Sequence, residues 1–96
     1  MRKSYLLAYD DQLGTRDKVK SYLESMQDIL HWRYDMPHSF YVISEADAGT
    51  LATRLRELAG ESGKFVFCEF TGNEQGWLTE ASWYLINHKR HRPKTR

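Results

Sequence analysis

The chain predicts an α+β protein of ferredoxin-like architecture, a βαββαβ sandwich in which two helices cover one face of a four-stranded antiparallel sheet. Three observations carry that expectation. Two amphipathic helical stretches each follow a short apolar run. A pair of aromatic and β-branched runs flanks a proline turn between them. A last apolar run, residues 64–71, follows the second helix.

In order, Tyr5–Asp10 (YLLAYD) is apolar at both parities and is stopped by Asp10, Asp11 and Gly14, which reads as a strand. Thr15 can cap the next segment, with Asp17 in its first turn. Val19, Tyr22, Leu23 and Met26 then follow at helical spacing, with Lys18, Lys20 and Glu24 on the opposite side. Ile29–Tyr34 and Phe40–Ile43 form a hairpin about Asp35-Met36-Pro37-His38. Asp47 caps a second helix with Leu51, Leu55 and Leu58 on one face, closed by Gly60 and Gly63. Lys64–Thr71 (KFVFCEFT) is a strand, again apolar on both faces.

Trp77–Asn87 reads as a short helix capped by Thr79, with Ala81, Tyr84, Leu85 and His88 on one side. Alternation of Trp83, Leu85 and Asn87 is the strand alternative. The domain is expected over residues 1–88, with 89–96 a basic, disordered tail.

Strands apolar on both faces need a cover on each, and two helices supply only one. The expected cover for the second face is another copy of the sheet, in a homodimer. A C-terminal segment folded back over it is the alternative. A chain of 96 residues buries only roughly 60–65% of its unfolded surface, so self-association would supplement a thin core.

The 14 Lys and Arg against 13 Asp and Glu give a net charge of +1. That balance is a cancellation. The tail holds five of the basic residues, leaving nine against 13 in the body. No apolar run approaches the roughly 18 residues of a membrane span, and residues 1–10 lack a secretory h-region. A lone Cys68 forms no internal disulfide. A cytoplasmic location is therefore expected.

Three segments carry a family resemblance. Tyr5, Leu6, Tyr9 and Asp10, then His31, Trp32 and Tyr34, then Gly76, Trp77, Leu78 and Trp83 make residues 4–88 similar to a family of short bacterial proteins labelled SinR-like. A first strand ending in aspartate before a helix also resembles the small CRISPR-associated endoribonuclease-like family, the minor subunit of the spacer-integration complex. The resemblance implies a ferredoxin-like dimer packed sheet to sheet, with the strand-1 aspartates of two protomers holding a divalent metal. It implies Asp10 as the catalytic and metal-binding residue. The Gly-Trp-Leu segment stands where that larger family has a swapped C-terminal strand, so the mode of dimerisation is open.

Asp10 and its neighbour Asp11 are thus the candidate ligands for Mg²⁺ or Mn²⁺, hard ions that take oxygen donors. Turn aspartates bonded to local backbone amides are the plain alternative. His31, Arg33, Asp35 and His38 gather about the hairpin, where a histidine could act as a general acid or base, or simply line a polar edge. Lys89, Arg90, Arg92, Lys94 and Arg96 form the candidate nucleic-acid contact through phosphates. Trp32, Tyr34 and Phe40 would offer stacking surfaces if exposed. Cys68, among phenylalanines, reads as buried and inert. Residues 72–76 lack the Lys and Ser/Thr of a phosphate loop.

The functional expectation is a small homodimeric protein that binds RNA or DNA, with a metal-dependent nuclease activity centred on Asp10. The alternative is a non-catalytic interaction or regulatory module, of toxin–antitoxin or another partner-binding kind.

Overall fold

The computed structural model describes residues 1–93, so Lys94 and Arg96 of the expected contact lie outside the described residues. The elements run β1 (Lys3–Tyr9), α1 (Arg16–Ser25), β2 (Ile29–Arg33), β3 (Ser39–Ser44), α2 (Ala48–Ala59), β4 (Phe65–Glu69) and α3 (Glu80–His88). The strands form one antiparallel sheet in the order β2-β3-β1-β4, the ferredoxin-like arrangement. No helix among the described residues is long and apolar enough to cross a membrane.

Each helix begins where its cap residue says it should. The side chains of Thr15, Asp47 and Thr79 accept the backbone N–H three residues on, from Lys18, Thr50 and Ser82 respectively. Trp77–Asn87 thus contains the helix, not the strand.

The first sheet face carries Tyr5, Leu7 and Tyr9 of β1, Phe40 and Val42 of β3 and Phe67 of β4. Val19 and Leu23 of α1 and Leu51 and Leu55 of α2 close over them. Two expectations are corrected here. Leu58 shares the stripe of Leu51 and Leu55 but, in the last turn of α2, is 44% exposed and not part of the core. Phe40 is wholly buried in this layer and offers no stacking surface.

The second face carries Tyr41 and Ile43, and α3 lies on it through Leu85 and Ile86, with Leu6, Phe70, Leu78 and Trp83 around them. The buried side chains of α3 are Ser82, Leu85 and Ile86, so the helix is rotated from the Ala81–Tyr84–Leu85–His88 face read from the sequence. Ser4 on β1 explains part of the rotation: its Oγ donates to the Ile86 carbonyl at 2.6 Å in the buried layer. The chain's own C-terminal helix therefore covers the β3 side of this face. At the β4 side Val66 stays 58% exposed and Cys68 is exposed, which corrects the reading of Cys68 as a buried core residue.

Candidate nucleic-acid interface

β2 is an outer strand, paired on one side only, to β3. Its side chains alternate: His31 and Arg33 stand beside Ile43 and Tyr41 on the α3 face, whereas Trp32 stands beside Val42 on the α1 face. Cations approach from both faces. On the α1 face the Arg16 guanidinium lies 4.3 Å from the Tyr34 ring centroid, and Lys20 Nζ lies 5.9 Å from that of Trp32.

On the α3 face the chain reverses at Lys89, the one non-glycine residue with positive φ among the described residues (φ 60°). Its N–H caps α3 on the Leu85 carbonyl at 2.8 Å, and its own carbonyl accepts from Arg2 Nη1 at 2.9 Å. The segment then runs back along the helix. His91 meets His31 with ring centroids 4.8 Å apart, Arg90 lies over Tyr84, and Arg92 pairs with Glu80 at 3.4 Å. Arg2, His31, Lys89, Arg90 and His91 thereby gather at one corner of an otherwise acidic body. Burial lowers the basicity of His31 below the ordinary 6.5, and the neighbouring His91 and Arg2 charges lower it further.

The corner is anchored by a polar network. Arg33 Nε donates to Ser82 Oγ at 3.0 Å, and Tyr41 OH donates to Asp35 Oδ2 at 3.1 Å. The Thr79 hydroxyl lies 3.2 Å from Asp35 Oδ1 and 3.0 Å from Ser82 Oγ. Burial pushes the Asp35 carboxyl up, but hydrogen bonds from Ser82, Tyr41 and Thr79 outweigh it and hold it below 3.8. Burial, then the Asp35 charge, raises the Tyr41 phenol well above its ordinary value. A carboxylate at the N-terminus of α3 is also where the helix dipole favours one. Arg33 and Asp35 thus fasten the third helix to the hairpin.

Asp10 and Asp11 point to different partners. Asp10 Oδ1 accepts from the N–H of Lys64 at 3.0 Å and of Leu13 at 3.1 Å. The Lys64 N–H is the chief cause that holds its carboxyl below 3.8, against an opposing cost of desolvation and with further help from Leu13. Gly63, next to Lys64, has φ 79°, and a Cβ there would sit 2.2 Å from the Leu13 nitrogen, so only glycine fits. Arg56 donates to the carbonyls of Gly60, Ser62 and Gly63 and holds that loop in place. Asp11 instead pairs with His38 Nε2 at 2.5 Å on the surface.

Among the described residues, no three His, Cys, Asp or Glu gather as a metal-ligand group. Asp10 Oδ1 already accepts two backbone N–H groups, so the Asp10 end of one chain would offer a hard divalent ion a sparse set of carboxylate oxygens, with waters completing its shell.

The sequence alone places the candidate contact in the tail; the structure brings Arg2 and His91 to the same corner and Arg16 and Lys20 to the other face of β2. Arg16 and Lys20 are spaced i, i+4 on one helix face, a signal that was available. Arg2 had none, since its partner Lys89 is 87 residues away. Nothing in the tail's composition indicated the reversal at Lys89.

The fold and this corner define a ferredoxin-like α+β sandwich with a cation-flanked outer strand and a third helix on its second sheet face. No family model, no curated protein and no solved structure matches the chain.

Proposed function

We propose that this protein binds nucleic acid along the outer edge of β2, holding phosphates with Arg2, Lys89 and Arg90. The observation that carries the reading is the convergence of Arg2, His31, Lys89, Arg90 and His91 on one corner. A body with nine Lys and Arg against 13 Asp and Glu gains no phosphate affinity from bulk charge, so binding rests on this local concentration. The resemblance of the first strand to the CRISPR-associated family points the same way. The proposal includes a homodimer, in which the surface left to a second copy is the uncovered β4 side of the sheet face, around Ala8, Val66 and Cys68. Asp10 borders that surface.

The test is binding of a labelled oligonucleotide at low salt, with Mg²⁺ or Mn²⁺ then added. Salt-sensitive binding, weakened by Lys89→Ala with Arg90→Ala, supports the proposal; no binding at low salt removes it. Cleavage that needs the metal and disappears in Asp10→Asn would add the nuclease activity to the binding function. Intact nucleic acid would confine the protein to binding.

A second reading, a partner-binding module, is favoured by one specific observation. Trp77 is fully exposed (100%), and Val66 and Cys68 are exposed on the open edge strand β4. A solvent-facing tryptophan and apolar side chains on a strand with one open edge are features that protein interfaces use.

A further inference from the structure

Trp32, on the outer strand, and Tyr34, the residue just past its end, are two residues apart, the spacing at which extended residues share a face. Their rings are parallel to within 5°, with centroids 6.3 Å apart. Phe40 stands nearly perpendicular to both, at 5.7 Å from Trp32 and 5.5 Å from Tyr34. The three rings make two parallel walls on a buried aromatic floor. A core pair would be closed over, yet Trp32 is only partly buried and Tyr34 remains 37% exposed.

Successive bases in a stacked strand lie about 3.4 Å apart. The 6.3 Å between centroids is the most the gap can be, slightly less than two such steps, so a flat aromatic group enters as the partly exposed Tyr34 swings outward by about half an ångström. Tyr34 already carries a planar group, the Arg16 guanidinium at 4.3 Å. Lys20 is placed similarly beside Trp32. The rings thus lie between cations on their own face and the Arg2–Lys89–Arg90 corner on the other.

We propose that Trp32 and Tyr34 form a stacking slot for one unpaired base, so that the ligand of this edge is single-stranded nucleic acid rather than duplex. The inference rests on the reading that the β2 edge binds nucleic acid. The entering base takes the place of the Arg16 guanidinium on Tyr34, and Arg16 turns to the flanking phosphate. Bases in a duplex are already stacked and present no free face, so duplex meets only the cations. Because every base has a π-face, the slot selects strandedness and not sequence.

The experiment compares three labelled probes of equal length on the full chain at low salt: an oligouridylate, the same backbone without bases, and a duplex. The oligouridylate should bind about tenfold more tightly than the abasic strand, the expected size of one stacked base. Tyr34→Ala and Trp32→Ala should each bring it down to the abasic level, and Trp32→Phe should restore most of the difference. Tyr34 is the safer position for folding, since it lies beyond the strand and is partly exposed. Arg90→Ala should weaken the intact and abasic strands by the same factor. Equal binding of intact and abasic strands, or full affinity in Tyr34→Ala, overturns the slot while leaving phosphate binding in place. Failure of every probe to bind overturns both.

Discussion

Asp10 and Lys64 hold each other twice: the Asp10 N–H donates to the Lys64 carbonyl at 3.1 Å, and Asp10 Oδ1 accepts from the Lys64 N–H at 3.0 Å. The pair ties the end of β1 to the start of β4 across 54 residues of sequence. Leu13, bound to the same carboxylate oxygen and packed against Gly63, completes a junction between two loops.

The junction separates a structural aspartate from a catalytic one. Asp10→Asn keeps an Oδ1 acceptor for both amides and removes the charge, whereas Asp10→Ala removes the acceptor. Thermal unfolding should show a clear fall in midpoint for Asp10→Ala and a much smaller one for Asp10→Asn. Equal falls in the two variants would show that the charge, not the acceptor, matters there.

Gly63→Ala places a methyl group 2.2 Å from the Leu13 nitrogen at φ 79°. Strain and clash together should destabilise the fold by about 3 kcal/mol or more. Urea unfolding measures the change; a loss within experimental error would contradict the close approach of the two loops.

Leu85→Ala opens the second core layer, where Leu85 is fully buried beside Tyr41 and Ile43. The expected cost is about 2–5 kcal/mol, read by the same unfolding experiment. A cost below that range would mean that α3 does not pack on the sheet as described.

Acid should destabilise the protein in two steps. His31 is depressed below 6.5 in the folded state, by burial first and then by His91 and Arg2. Its unfolded form binds the proton more readily, so stability begins to fall as pH drops below 6.5. Asp10, Asp35 and Asp47 are held below 3.8 by the hydrogen bonds they accept. Their stabilisation is complete above 3.8 and is lost as pH falls through the lower folded values. Thermal midpoints measured against pH should show both steps, and His31→Gln should remove only the first.

Much of the fold was legible because it is written locally. Thr15, Asp47 and Thr79 announce their helices by a side chain that reaches three residues ahead. Aromatic and β-branched runs on either side of Pro37 announce the hairpin. What could not be read locally was decided by distant residues. The rotation of α3 depends on Ser4 and Arg33, which bond Ile86 and Ser82 from other elements. Cys68 has apolar neighbours in sequence, but α3 lies across β3 and β1 and leaves the β4 side open. The basic corner unites residues 2, 31 and 89–91, which no short window contains. Asp10 was legible as a special residue, yet its backbone partners, Leu13 and Lys64, emerge only from the folded loops.

Binding of a single-stranded oligonucleotide as a function of salt tests the central claim most directly. The logarithm of affinity should fall linearly with the logarithm of salt, with a slope of about −0.7 for each phosphate neutralised. Lys89→Ala with Arg90→Ala should weaken binding and make the slope shallower by about 1.4, two phosphate contacts' worth. An affinity and slope unchanged in that variant, or no binding at low salt, would contradict the assignment of this corner to nucleic acid.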